Sequence, residues 1–144
     1  MAYNEAYINV PPATVFGVLS DPVNYPKWVV GARKIRGADP QFPAIGSRFH
    51  HQVGVAPLVL NDHTEVIANE APNRLVMRAK TRPFGTARVD LKLLTEGSGT
   101  RVQMTESAGD TPSRVLLNRL SDPLIHARNV RSLGRLKRLA ENRG

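Results

Sequence analysis

Four histidines, His50, His51, His63 and His126, are the side chains of this sequence best suited to move a proton or hold a metal near neutral pH. Their spacing limits them. His50 and His51 are adjacent in a stretch that alternates like a strand, so they point to opposite faces and cannot share one ion. With no cysteine, there is no thiolate ligand and no thiol nucleophile. His-Glu-x-x-His, a glycine-rich phosphate loop and a Gly-x-Ser-x-Gly elbow are all missing. Neither a metal nor an organic cofactor is implied. Acid–base or steering chemistry by single side chains remains. Three polar residues, His51, Glu106 and His126, fall on faces that otherwise read as apolar. In an apolar pocket each needs a partner or shifts its pKa, and could steer a ligand hydroxyl or carbonyl or move a proton. A structural hydrogen bond at a wet rim is the plainer use of each.

The elements that must position these residues follow from period and punctuation. "YNEAYINV" alternates as a strand that Pro11–Pro12 end, and "ATVFGVLS" is a short helix with Val15, Phe16 and Leu19 on one face. In "SDPVNYPKWVVG", Ser20 or Asp21 can cap and Pro22 suits the first helical position, but Pro26 disfavours helix at Tyr25. About one turn is expected there, then a sharp bend at Trp28, the single tryptophan. From Gly46 the period becomes two: "SRFHHQVGV", "PLVLNDHTEVIA", "LVMRAKTR", "TARVDLKLL" and "TRVQMTES" read as successive antiparallel strands. "PFG" breaks the third from the fourth, and "TEGSG" is a hairpin turn. One sheet face would carry Phe49, His51, Val53, Leu58, Leu60, Thr64, Val66, Leu75, Met77 and Ala79. It would continue through Val89, Leu91, Leu93, Val102, Met104 and Glu106, with Arg48, Arg78, Arg88 and Lys92 among the residues opposite. A helix follows, capped by Asp110 or Thr111, with Leu116, Leu117, Leu120 and Leu124 on one face. Ile125, Val130, Leu133, Leu136 and Ala140 form a second stripe rotated by about 150°, so a kink or restart is expected at Pro123.

The order of these pieces resembles the START-like, or SRPBCC, superfamily of polyketide cyclases/dehydrases and lipid-transport proteins. The resemblance rests on "INVPPATVFGVLSDPVNYPKW", "IGSRF", "TEVIANEAPNRLVMR", "GSGTRVQM" and the terminal "LGRLKRLAEN", and covers nearly the whole chain. It implies one α+β domain over residues 1–144 with a helix-grip fold. In such a fold a curved antiparallel meander wraps a long C-terminal helix, two short helices follow the first strand, and an apolar cavity lies between sheet and helix. The cavity candidates are then Trp28, Phe49, Met77, Leu91, Met104 and Leu120, with His51, Glu106 and His126 as its polar members. For Trp28, Met77 and Met104 a place in an ordinary core is the plainer use.

Composition narrows the classes of function. Of 144 residues, 41% are apolar and 22% charged, an ordinary folded-domain balance. No apolar run can span a bilayer, and "MAYNEAYINV" lacks the features of a signal peptide, so a cytoplasmic location is expected. The net charge of +8 is concentrated: residues 114–143 hold eight Arg or Lys against Asp122 and Glu141. Arg128, Arg131, Arg135 and Arg138 form a stripe that fits a solvated face, an anionic membrane or an acidic protein; a homodimer is also left open. Nucleic acid fits less well, because no aromatic residues interleave the stripe for base stacking. Three functions survive: a binder of a hydrophobic small molecule such as a lipid or polyketide, a cyclase, aromatase or dehydratase acting through cavity acid–base residues, and an interaction module using the basic face. The first requires only the apolar inner face and the resemblance.

Overall fold

Seven strands form one antiparallel sheet: β1 (Ala2–Ile8), β2 (Ala32–Ala38), β3 (Arg48–Val55), β4 (Leu58–Glu70), β5 (Arg74–Lys80), β6 (Thr86–Glu96) and β7 (Gly99–Ala108). The computed structural model describes residues 2–55, 57–80, 86–108 and 111–143, without the side chains of 53–55, 58, 60, 108, 111–122, 124 and 125. The spatial order is β1-β7-β6-β5-β4-β3-β2, a meander from β2 to β7 whose last strand pairs with the first. Between β1 and β2 lie helix α1 (Pro12–Leu19), a 3-10 turn (Pro22–Asn24) and helix α2 (Tyr25–Trp28). A long helix, α3 (Thr111–Glu141), follows the sheet and packs on β1, β7 and α2. This is the helix-grip arrangement expected from the sequence.

Alternation explains the sheet. Phe49, His51, Thr64, Val66, Leu75, Met77, Leu91, Leu93, Val102, Met104 and Glu106 are all buried, whereas Arg48, Arg78, Lys80, Arg88 and Lys92 are exposed. The exceptions on the outer face are Val76 and Asp90, a registered pair that is buried. Arg74 donates to both carboxylate oxygens of Asp90, at 3.2 and 2.7 Å, and this clamp holds the Asp90 carboxyl below its usual pKa. The β6–β7 hairpin closes on Gly97, whose φ of +60° suits the first position of a tight two-residue turn. Expected inner positions Val53, Leu58 and Leu60, the "PFG" break, the Asp110 or Thr111 cap, the Leu116–Leu124 stripe and Ile125 lie outside the described side chains or residues.

Three expectations are corrected. Tyr25 is helical (φ −60°, ψ −44°) despite Pro26, so the helical stretch runs from Pro22 to Trp28 and not for about one turn alone. The conformational preference is overridden by burial of the Tyr25 ring and by its hydroxyl, which donates to the Leu19 carbonyl at 2.7 Å. Asp21 caps the 3-10 turn, accepting from the Val23 amide at 3.1 Å. Second, of the kink or restart expected at Pro123, the restart does not occur: α3 continues through it as one helix. Pro123 is exposed, so water can reach the backbone on the side where the ring removes a hydrogen bond. Third, Val130 is 56% exposed and does not join the buried arc of α3. That arc is Asn129, Ser132, Leu133, Leu136 and Ala140, which lie within about a third of the helix circumference.

Candidate functional site

The bend that holds Trp28 also starts a strip of rings along the inner face. Trp28 lies 5.5 Å from Tyr25, centroid to centroid; Tyr25 lies 4.6 Å from Phe49, and Phe49 lies 5.4 Å from His51. Phe42 packs edge-on against both Tyr25 and Phe49. The Tyr25 hydroxyl also approaches Met77 Sδ at 3.5 Å. Four candidates, Trp28, Phe49, His51 and Met77, are therefore linked through Tyr25. Leu91 and Met104 are registered partners on β6 and β7 and join the same apolar cluster.

His51 is the polar end of the strip. It is 4% exposed, and its Nε2 lies 2.9 Å from the Thr64 hydroxyl. Asp62, also buried, stands opposite His51 in the β3–β4 register and faces the same side. Burial pushes the His51 imidazole below its usual pKa, and the Asp62 carboxylate opposes that shift without reversing it. The ring is thus neutral at neutral pH. Among the described residues, His51 Nδ1 has no hydrogen-bond partner, and neither does the indole N–H of Trp28, a residue only 1% exposed. Asp62 was missed in the sequence, although it shares the parity of Leu60 and Thr64.

A second polar set lies across the sheet. Glu106, 6% exposed, pairs with Arg128 and accepts from Asn129 Nδ2 at 3.1 Å. Register places Glu106 beside Val89 and Met77, and Thr64 beside Ala79 and Ala87. The two polar sets are thus about three strand spacings apart, roughly 14 Å, over a floor of methionine, valine and alanine. His126 is exposed and bonds to neither set; its Nδ1 is 3.1 Å from Asn4 Nδ2 on β1, whose register partner is Met104. Leu120 lies within α3, but its side chain is outside those described. Arg128 is turned toward Glu106 and does not stand in an outward stripe; Arg131 and Arg138 are exposed and Arg135 half-buried. No group of three or more metal-ligating side chains occurs among the described residues.

A strand, two short helices, a curled meander with an apolar inner face and a long covering helix carry the signature of one family, and the family model for "Polyketide cyclase / dehydrase and lipid transport" matches residues 2–141. The chain belongs to this family. Solved structures with the same fold include MLL2253 from Mesorhizobium loti, at 20% identity and a TM-score of 0.73, with 98% of this chain and 96% of that one covered. NE0264 from Nitrosomonas europaea gives 17% identity and a TM-score of 0.75 over 98% and 94% of the two chains. An AHSA1-like protein from Aeromonas hydrophila gives 23% and 0.72 over 99% and 92%. No curated protein shows significant similarity to the chain. No helix among the described residues is long and apolar enough to cross a membrane. The ring strip and both polar sets lie along the inner face of this family member's sheet.

Proposed function

We propose that this protein binds a hydrophobic small molecule between the inner face of the sheet and α3, acting as a single domain in the cytoplasm. The observation that carries this is the set of buried polar atoms with no hydrogen-bond partner among the described residues, Trp28 Nε1 and His51 Nδ1 together with Asn4 Oδ1 and Arg128 Nε, along a mostly apolar wall. A buried donor or acceptor left unpaired costs about 1–3 kcal/mol, so a core that keeps several of them has a use for them. A ligand gains about 25 cal/mol for each Å² of apolar area it removes from water, and a few polar groups fix its orientation. Phe49, Met77, Leu91 and Met104 supply the apolar wall; His51 and Glu106 supply polar ends. With Arg128 drawn inward, the exposed basic face is narrower than a four-arginine stripe, and docking on an anionic membrane, an acidic protein or a second copy is not needed for binding.

Native mass spectrometry of freshly purified protein tests this, with an organic extract of the same sample analysed in parallel. The expected result is a bound mass that is lost on denaturation and recovered in the extract. A protein that stays free of ligand, and that also fails to bind naphthalene-sized probes in titration, overturns it. A second function, acid–base turnover of a bound polyketide, is favoured by the neutral imidazole of His51 alone. His51→Phe would then abolish turnover, whereas in a carrier it changes only affinity and selectivity.

A further inference from the structure

Three features of the inner face converge beside His51. Its Nδ1 is buried and unpartnered among the described residues, while Nε2 is committed to Thr64. The neighbouring row of the sheet, Thr64–Ala79–Ala87, carries only methyl groups on β5 and β6, so the surface beside the imidazole is low. The Asp62 carboxylate stands opposite His51 on the same face.

The chemistry of the imidazole then restricts its partner. A neutral ring carries one N–H and one lone pair. If Nε2–H donates to Thr64, Nδ1 must accept; if the Thr64 hydroxyl donates, Nδ1–H must find an acceptor. A hydroxyl satisfies either tautomer. A carboxylate can only accept, and it would carry a full charge into a poorly solvated wall, where desolvation penalises it. The ring strip through Phe49, Tyr25 and Trp28 favours a flat partner over a flexible chain. From this geometry we infer that the ligand is a neutral, planar, hydroxyl-bearing molecule whose oxygen hydrogen-bonds to His51 Nδ1, and that a fatty-acid-like carboxylate is selected against. This rests on the binding function proposed above and adds the chemical class of the ligand and the atom that reads it.

Three probes of one shape test it: 1-naphthol, 1-methylnaphthalene and 1-naphthoate, titrated calorimetrically into the full-length protein and into His51→Phe. A neutral hydrogen bond in a buried site is worth roughly a fivefold to tenfold change in affinity. The expected result is that the wild-type protein prefers 1-naphthol over 1-methylnaphthalene by about that factor and binds 1-naphthoate more weakly still. In His51→Phe the preference for the hydroxyl should shrink to within about twofold while 1-methylnaphthalene still binds. Thermal melts establish that the variant is folded, and His51→Leu, which has no hydrogen-bonding group and is smaller, is the second variant should Phe49 reject a phenyl neighbour. Equal affinity for naphthol and methylnaphthalene in the wild type means that Nδ1 is satisfied by water alone, and overturns the inference while leaving the binding function standing. So does tighter binding of naphthoate. A preference for naphthol that persists in both variants places the recognition elsewhere and also overturns it. Failure of all three probes to bind overturns the binding function together with the inference.

Discussion

His51 and Trp28 show how burial converts ordinary side chains into reporters. His51 is held neutral in the fold because burial disfavours its protonated form. The unfolded chain takes up a proton at this residue as pH falls through about 6.5, and the folded chain does so only at lower pH. Its contribution is therefore fully present above that value and is lost as pH drops below it, by up to about 1.4 kcal/mol per pH unit. Urea midpoints at about pH 7.5 and about pH 5.5 should show this loss in the wild type and a smaller one in His51→Gln. The remaining slope belongs in part to His63, whose pKa is lowered in the same direction by its own partial burial. A variant that loses as much stability as the wild type would show that the imidazole is not kept neutral. Trp28, the single tryptophan, is buried against Tyr25 and gives an intrinsic fluorescence signal from the ring strip itself.

Among the elements, β1 and β7 approach each other closely at Gly99. Gly99 opens β7 where Ile8 ends β1, and a Cβ at Gly99 would lie 2.5 Å from the Ile8 carbonyl and also against the Tyr7 hydroxyl. The tyrosine can swing away, but the carbonyl belongs to a paired strand and cannot. Gly99→Ala should therefore destabilise the protein by about 1–3 kcal/mol, the usual cost of overpacking, as read from denaturant midpoints. An unchanged midpoint would mean that β1 is free to shift. The neighbouring Thr100 hydroxyl donates to the Val10 carbonyl at 2.8 Å and ties β7 to the start of the α1 segment. Through these contacts the meander becomes one wall, with β1 as its last strand and the floor beneath α3.

At the scale of the molecule, α3 is the clamp. Leu133 and Leu136 are almost fully buried in the same cluster as Trp28, Leu91 and Val102. Ser132 Oγ accepts from the Val30 amide at 3.0 Å, and Lys137 donates to the Tyr7 carbonyl at 2.9 Å, so the helix is tied both to the bend and to β1. Leu136→Ala should cost about 2–5 kcal/mol by removing apolar burial and leaving a cavity. Because Trp28 and α3 share one core, tryptophan fluorescence and far-ultraviolet circular dichroism should report coincident unfolding transitions in both proteins. Separated transitions would mean that helix and sheet unfold as separate units.

Much of this architecture was legible in the residues because its signals are local. Strict alternation in "TARVDLKLL" and "TRVQMTES" placed Leu91, Met104 and Glu106 on the inner face, and glycine placed the β6–β7 turn at Gly97, where a positive φ is required. The proline rules gave the bend its position but not its form. They could not anticipate that the buried Tyr25 ring and its hydrogen bond to Leu19 would hold a helical residue before Pro26. Helix periodicity alone put Val130 inward and Arg128 outward. Tertiary structure reversed both, because α3 packs on β1, α2 and β7 with a buried arc centred on Leu136, and the buried Glu106 carboxylate draws the Arg128 guanidinium toward itself. Asp62 and Asn129 were not singled out for the same reason: a sequence shows which face a side chain shares, but only the packed sheet and helix show what that face covers. The sequence by itself determined the fold and the apolar inner wall, since periodicity and turn chemistry act over a few residues. Tertiary structure decided which polar atoms on that wall have no partner among the described residues, since that depends on strands and helices brought together from distant parts of the chain.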